Sequence, residues 1–347
     1  MFYIKGYHDR DELAAFCEKV AKRLNAHLYV YGIGAGIGIL PIEPSDTGHT
    51  ERILKNLMNT SEMAAKNSHS NTNILFYSAE IDKQFARENG ISNEITEILE
   101  GTGADRLYLQ YQPVLDIASN KISGFEALAR LMSDQYGPVP PLEFIPIAEK
   151  TNVIVPLGEK IIHKALHFLK RLNEHGHDAI IVTINISTIQ ILENGFADRL
   201  LHMIRDMQLN PRNVGIELTE SVFATEQTQI NAVIGVLQAA GIKVLIDDFG
   251  TGYSSLERES ELQFDSLKIA KSFIDKLMVL KPEETITGDI ISMAHKLGQC
   301  VIAEGVEHAK QLDFLRDHGC DRIQGYLVSK PLDEDAALAF LQKHNDR

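Results

Sequence analysis

The sequence predicts an α/β chain, a (β/α)8 barrel with an irregular antiparallel first strand, preceded by a small N-terminal α/β domain. Three observations carry that reading. From Arg106 onward, short apolar runs alternate with longer stretches of helical spacing; the runs cover 108–114, 122–128, 179–186, 214–218, 244–246, 266–269, 300–303 and 322–326. The first two runs are separated only by 115–121, too short for a crossover helix, so those strands should pair antiparallel. Before Arg106 the cadence differs, which divides the chain into a small domain over 1–78, a helical connector over 79–105 and the barrel over 106–347.

In the first part, 12–24 carries Leu13, Phe16, Val20 and Leu24 at helical spacing, and 51–65 carries Ile53, Leu54, Leu57 and Met58 on one stripe. Residues 27–40 read as a strand passage broken by glycines. Gly32, Gly34, Gly36 and Gly38 alternate with apolar residues and no lysine follows them, so a strand fits better than a phosphate loop. A further strand is expected over 73–77. The charged stretch 79–103 reads as a solvated helix. In the barrel, 157–172, 230–240 and 286–297 have helical spacing, the last followed by Gly298 as a stop signal. Pro146 falls inside 144–149, predicting a bent packing helix near the barrel mouth. His163 and His167 lie four apart on a helix but lack an HExxH pattern, which favours a solvated or packing face over a metal site.

Composition narrows the functional classes. The chain has 347 residues, 44% hydrophobic and 24% charged, near soluble globular averages. It lacks a run long enough to span a membrane and a signal-peptide pattern. A cytoplasmic protein without direct membrane insertion is expected, although a longer parent could be anchored through another region. Cys17, Cys300 and Cys320 have no metal-type spacing, and an odd count argues against a disulfide framework. A net charge of −14 argues against unspecific binding to DNA, RNA or anionic lipid. An anionic substrate would need cations supplied locally.

In barrels of this class the chemistry lies at the C-terminal ends of the strands. The polar residues there are Glu126, Asn185, Glu217, Asp247 with Asp248, Lys268, Glu304 and Gln324. Strand parity separates Glu217 from the apolar face of Val214, Ile216 and Leu218, and Asn185 from that of Val182, Ile184 and Ile186. Any one such residue could be a hydrogen-bonded structural group. A ring of five carboxylates, an amide and a lysine is harder to sustain, because uncompensated buried charge costs several kcal/mol per ion. Divalent ions would offset it. Oxygen ligation without Cys or His points to Mg2+ or Mn2+, and the adjacent Asp247 and Asp248 could bridge two ions.

The motifs YQPV, GFEALAR, FIPIAE, NIS, ELTES, DDFGTGYSSL, LKI, IAEGVE and QGY stand in order across 106–345. This segment resembles the EAL-domain family of cyclic-di-GMP phosphodiesterases, hydrolases of bacterial signalling built on TIM-type barrels. The resemblance implies that Glu126, Asn185, Glu217 and Asp247 hold a first ion and that Asp247 bridges to a second with Asp248. It implies that Glu304 completes the acidic site and that Lys268 orients or deprotonates the attacking water. Gln112, Arg130 and Gln324 would contact substrate, Arg130 at phosphate. Glu220 and the 250–255 loop would couple the ions to a homodimer interface, and Glu307 would support the site. The implied reaction is in-line attack of activated water on one phosphodiester, opening the ring to linear pGpG. One position departs from the family: LKID reads here as Leu267-Lys268-Ile269-Ala270. The missing carboxylate falls on the face of the strand that carries Lys268. Its loss could slow hydrolysis while leaving binding intact, so a dinucleotide receptor stands as the alternative to an enzyme. A metabolic barrel enzyme using Mg2+ on another phosphorylated substrate is a third reading, which the full run of motifs opposes.

The segment 32–77, GIGAGIGILPIEPSDTGHTERILKNLMNTSEMAAKNSHSNTNILFY, looks like the back half of a GGDEF (diguanylate cyclase) domain. The glycine-rich loop that names that family is absent from this chain, so cyclase activity is not expected from it.

Overall fold

The computed structural model describes residues 4, 6–7, 9–28, 35–42, 48–66, 72–220, 222, 227–250, 264–281 and 284–345. Gly32, Gly34 and the 251–255 part of the predicted coupling loop lie outside the described residues. The chain forms two compact units, Met1–Asn93 and Glu94–Arg347. The helix Ala79–Leu99 contains the division between them.

In the first unit, helices Arg10–Leu28 and Thr50–Lys66 accompany a parallel pair of strands, β1 (Gly36–Ile39) and β2 (Asn73–Phe76). Leu13, Cys17 and Ile39 form the buried cluster, with Ile37, Ile74 and Phe76 against it. Two expectations need correction here. The first helix runs through His27 and Leu28, where a strand is predicted, because no glycine or proline interrupts it before that point. Its buried positions are Leu13, Cys17 and Ala21, whereas Phe16 and Leu24 are exposed. The i, i+4, i+8 row with the smaller side chains has turned inward, the row that permits a closer approach. Gly36 and Gly38 have a packing role: a Cβ on either would fall 2.1 Å from Ala65 N or 2.4 Å from Ser61 N. The strand can lie on the helix Thr50–Lys66 only because both positions are glycine.

The second unit is the predicted barrel. Its strands are β3 (Leu107–Asp116), β4 (Lys121–Ser133), β6 (Ile181–Asn185), β7 (Val214–Thr219), β8 (Lys243–Phe249), β9 (Ser266–Ile269), β10 (Cys300–Ala303) and β11 (Arg322–Gln324). The ring closes where β3 pairs antiparallel with both β4 and β11; the remaining neighbours pair parallel. The short linker between β3 and β4 dictates this reversal, as the sequence predicts. A further strand, β5 (Gly137–Val139), extends β4 as a hairpin that the sequence reading leaves out. The helix Ile154–Glu174 buries the predicted stripe Ile161, Ala165, Leu169 and Leu172, and its Phe168 stacks on Tyr111 of β3 with ring centroids 3.7 Å apart. Pro146 lies inside the helix Pro141–Lys150, and His163 and His167 sit exposed with rings 4.6 Å apart. None of the described helices is long and apolar enough to cross a membrane.

A repeated device fastens the N-terminal end of the barrel. Asn213, just before β7, donates to the carbonyls of Asp178 and Ile180 at 2.6 and 2.8 Å. Asp265, just before β9, accepts from the Val244 amide at 3.0 Å, from Gln238 and from Lys243. Asp321, just before β11, accepts from the Val301 amide at 2.7 Å and pairs with His295. In each case the residue before one strand bonds the start of its neighbour. The far end of the chain joins this face too: Asn345, in the helix Glu334–Asn345, exchanges both of its amide hydrogen bonds with the backbone of Ile122 in β4.

Candidate active site

Strand parity determines what enters the barrel. On a parallel ladder, alternate residues share one face, so register aligns the polar ends of neighbouring strands. Glu126 of β4 pairs with Thr183, Asn185 of β6 with Glu217 of β7, and Thr219 with Asp247 of β8. Lys268 of β9 pairs with Ile302, two residues before Glu304. The outcome is a ring of side chains around the Lys268 ammonium, which is only 1% exposed.

Lys268 Nζ lies 2.6 Å from Glu217 Oε2, 2.6 Å from Glu304 Oε1, 3.1 Å from Glu126 Oε2 and 3.1 Å from Asp247 Oδ1. An ammonium has three N–H donors, and four carboxylates surround this one. Asp247 Oδ1 is at ion-pair distance yet is buried without a hydrogen-bond partner. Glu126 is held further by Asn185 Nδ2 at 2.7 Å and Gln324 Nε2 at 2.6 Å. Gln324 also donates to Gln112 Oε1 at 3.1 Å, and Gln112 donates to the Ser329 carbonyl at 3.3 Å.

Adjacent residues on a regular strand point to opposite faces, which would separate Asp247 from Asp248. The register between β8 and β9 shifts between Ile246 and Phe249, and Asp248 takes the left-handed φ of 54°. This bulge re-aims the second aspartate, a deviation typical of functional sites. Oxygens of Asp247, Asp248 and Glu304 consequently lie within 4.8 Å of one another, as do those of Glu126, Glu217 and Asp247. Asp247 belongs to both groups. Just beyond, Gly250 has φ 92°, and its amide donates to Glu220 Oε2 at 3.1 Å. A Cβ there would fall 2.4 Å from the Phe273 ring.

The charge density moves the titrations in opposite directions. Burial pushes the Glu217 carboxyl well up, with Glu126 and Asp247 adding to it against Lys268. Burial likewise takes Glu304 up to about 8, reinforced by Asp247 and Glu126. Asp248 rises through burial and its neighbour Asp247. For Glu126 burial is outweighed by Lys268 and by the amides of Gln324 and Asn185, so its carboxyl is lowered. For Lys268 burial is outweighed by the carboxylates, which hold the proton on its amine. The residues fit divalent ions: the oxygens come in two groups sharing Asp247, one of them orphaned, with an excess of negative charge and no sulfur or imidazole.

Sequence reasoning named the members of this cluster and missed its hub, since it gave Lys268 a role toward water rather than as counter-ion to four acids. Arg130 lies on the same strand and parity as Glu126, toward the end of β4; its Nε donates to Gln110 Oε1 at 2.9 Å and its Nη1 to the Ala129 carbonyl. Gln110 was missed; the signal was its position two residues before Gln112 on β3, on the same face. Glu307 pairs with Lys271 at 3.1 Å, away from the ring around Lys268. Ala270 is buried, 2% exposed, directly after β9.

Residues 95–331 match the family model described as EAL domain. The chain belongs to the EAL domain family. Among curated relatives it is 34% identical over 321 residues to the signaling protein YkoW of Bacillus subtilis, covering 92% of this chain and 39% of that protein. It is 32% identical over 313 residues to the cyclic di-GMP phosphodiesterase NbdA of Pseudomonas aeruginosa, covering 89% and 39%. The chain therefore spans well under half the length of these relatives. Among solved structures, the PaMucR phosphodiesterase in its c-di-GMP complex superposes with a TM-score of 0.66 at 31% identity, covering 71% of this chain and 99% of that one. The eight-stranded barrel with its reversed β3 is thus an EAL barrel.

Proposed function

We propose that this EAL barrel hydrolyses cyclic di-GMP to linear pGpG with two Mg2+ or Mn2+ ions. The observation that carries the reading is the cluster of five carboxylates, four of them paired with Lys268, in two oxygen groups that share Asp247. Glu126, Asn185, Glu217 and Asp247 would hold one ion, and Asp247, Asp248 and Glu304 the other. Bound ions of this kind lower the pKa of water and offset charge developing on phosphate. The chain's own groups supply the rest. Lys268, amid Glu126, Glu217, Asp247 and Glu304, would orient or deprotonate the attacking water. Gln112 and Gln324, bonded to each other beside Glu126, are placed to bind the dinucleotide, and Arg130 to clamp a phosphate. Glu220, bonded to the Gly250 amide, would transmit ion occupancy to a homodimer interface, and Glu307 would brace the neighbouring helix through Lys271. The similarity of 32–77 to the back half of a GGDEF domain supports reading 1–78 as a partial GGDEF-like domain joined by a connector over 79–105, in a cytoplasmic setting.

Ala270 favours a second reading. With no carboxylate at that position, the barrel captures cyclic di-GMP without cutting it. The deciding measurement is pGpG production with Mn2+ by this chain and by Ala270→Asp, with cyclic di-GMP binding measured in Ca2+. Turnover by this chain supports the enzyme. Turnover by Ala270→Asp alone, with both binding, makes the natural chain a receptor on an enzyme scaffold. Absence of binding in both overturns the substrate.

A further inference from the structure

Barrels of this class usually fill their axis with layers of bulky branched side chains. Below the carboxylate ring this one does not. The layer beneath carries Gly124, Thr183, Gly215 and Ser266 on four of its strands, interleaved with the apolar cluster of Val114, Leu245 and Ile302. The small residues leave a cavity of about 170 Å3 on the barrel axis. Its ceiling is Glu217, Lys268 and Gln324; its other end is lined by Lys243, Cys300 and Arg322, residues at the starts of their strands that are not fully buried. The opening therefore faces the N-terminal end, opposite the rim where the ions and dinucleotide would bind.

Among the described residues, three buried groups in the lining lack partners: one, Arg322 Nε, lies at the open end, and two lie deeper. Thr183, 8% exposed, has an unbonded hydroxyl, and Gln324, 4% exposed, has an unbonded amide oxygen although its Nε2 is fully engaged. Unsatisfied buried polar atoms are costly, and a ligand that meets them recovers that cost. An apolar cavity of roughly 150 Å3 accepts benzene. We infer that the axial cavity is a second ligand site, entered from the N-terminal end, for a small neutral ring compound carrying one hydrogen-bond donor. The ring lies against Val114, Leu245 and Ile302, and its donor meets the Thr183 hydroxyl. Glu217 and Lys268 together close its ceiling, and Lys243, Asp265 and Arg322 line its open end, so charge of both signs surrounds it and a neutral ligand fits best. This site is independent of whether the rim cuts or merely binds its dinucleotide.

The test uses phenol and benzene as probes on the full chain, with affinities from ligand-observed NMR titration. Phenol is expected to bind more tightly than benzene. Thr183→Val, which keeps the side-chain shape and removes the hydroxyl, is expected to weaken phenol by about fivefold to tenfold and leave benzene unchanged. Ser266→Leu, which fills the cavity, is expected to abolish both. If Ser266→Leu does not fold, the split between the two probes in Thr183→Val decides alone. Failure of both probes to bind the natural chain, leaving only water in the cavity, overturns the proposal, as does equal binding of phenol to the natural chain and Thr183→Val.

Discussion

The two ends of the barrel handle buried polarity in opposite ways. At the N-terminal end, Asn213, Asp265 and Asp321 each sit before a strand and bond its neighbour; the two acids meet a basic side chain, and every acid meets a backbone amide. At the C-terminal rim, four acids share one ammonium, a fifth lies beside them, and an oxygen of Asp247 goes without a donor. The first arrangement is complete in the protein alone. On the proposed function, the second is completed by cations from solution. The difference separates a group of residues whose work is to hold register from one whose work is to receive something.

Removing the shared cation should break the contrast most strongly. Lys268→Met, without divalent ions, is expected to destabilise the barrel by about 3–5 kcal/mol in urea unfolding, because it leaves buried carboxylates uncompensated. Most of that loss should return on adding Mn2+. A fall of under 1 kcal/mol would show that the ammonium is not holding the rim together. Next in size is the ion itself. Mn2+ at a hundredfold excess over its dissociation constant should stabilise the natural chain by about 2.7 kcal/mol and Asp247→Asn by far less. Equal stabilisation of both would remove Asp247 from the ligands.

At the other end, Asn213→Ala should cost about 1–3 kcal/mol by orphaning two carbonyls, whether or not Mn2+ is present, with turnover or dinucleotide binding unaltered. Dependence of that cost on Mn2+ would merge the two ends into one system. The smallest effect concerns acid. Burial raises the Asp265 carboxyl, but bonds from Lys243, the Val244 amide and Gln238 outweigh it, so its folded pKa lies below the ordinary carboxylate value. A lowered carboxyl contributes stability that is present above the unfolded pKa and disappears as pH falls through the folded one. Asp265→Asn should therefore lose on the order of 1 kcal/mol near neutrality and show a flatter stability profile below pH 4. An unchanged acid limb would assign the acid sensitivity elsewhere.

The rim was legible in the sequence and the opposite end was not, for a physical reason. Glu126, Asn185, Glu217 and Glu304 are polar residues ending apolar runs, a local irregularity visible from period-two alternation. Asn213, Asp265 and Asp321 precede strands, where Asn and Asp are ordinary turn residues; their partners lie 20 to 35 positions away and depend on register between strands. The centrality of Lys268 was hidden likewise, since its four acids come from four other strands. Adjacency of Asp247 and Asp248 suggested a shared site, but only the bulge with Asp248 at positive φ turns both toward it. In the N-terminal unit, the helix continuing through Leu28 competes with apolar runs that fit either period.

The seam between β3 and β11 has a consequence for synthesis. The strand made first in the barrel finds one of its two partners in the strand made last, and Asn345 then bonds Ile122 across the same region. On a ribosome, a nascent chain that has not reached Arg322 holds seven staves of an eight-stave cask, with bare edges on β3 and β10. Such edges invite pairing with other chains. The barrel can close only after β11 has emerged, so the interval before that strand appears is when this barrel most needs shelter.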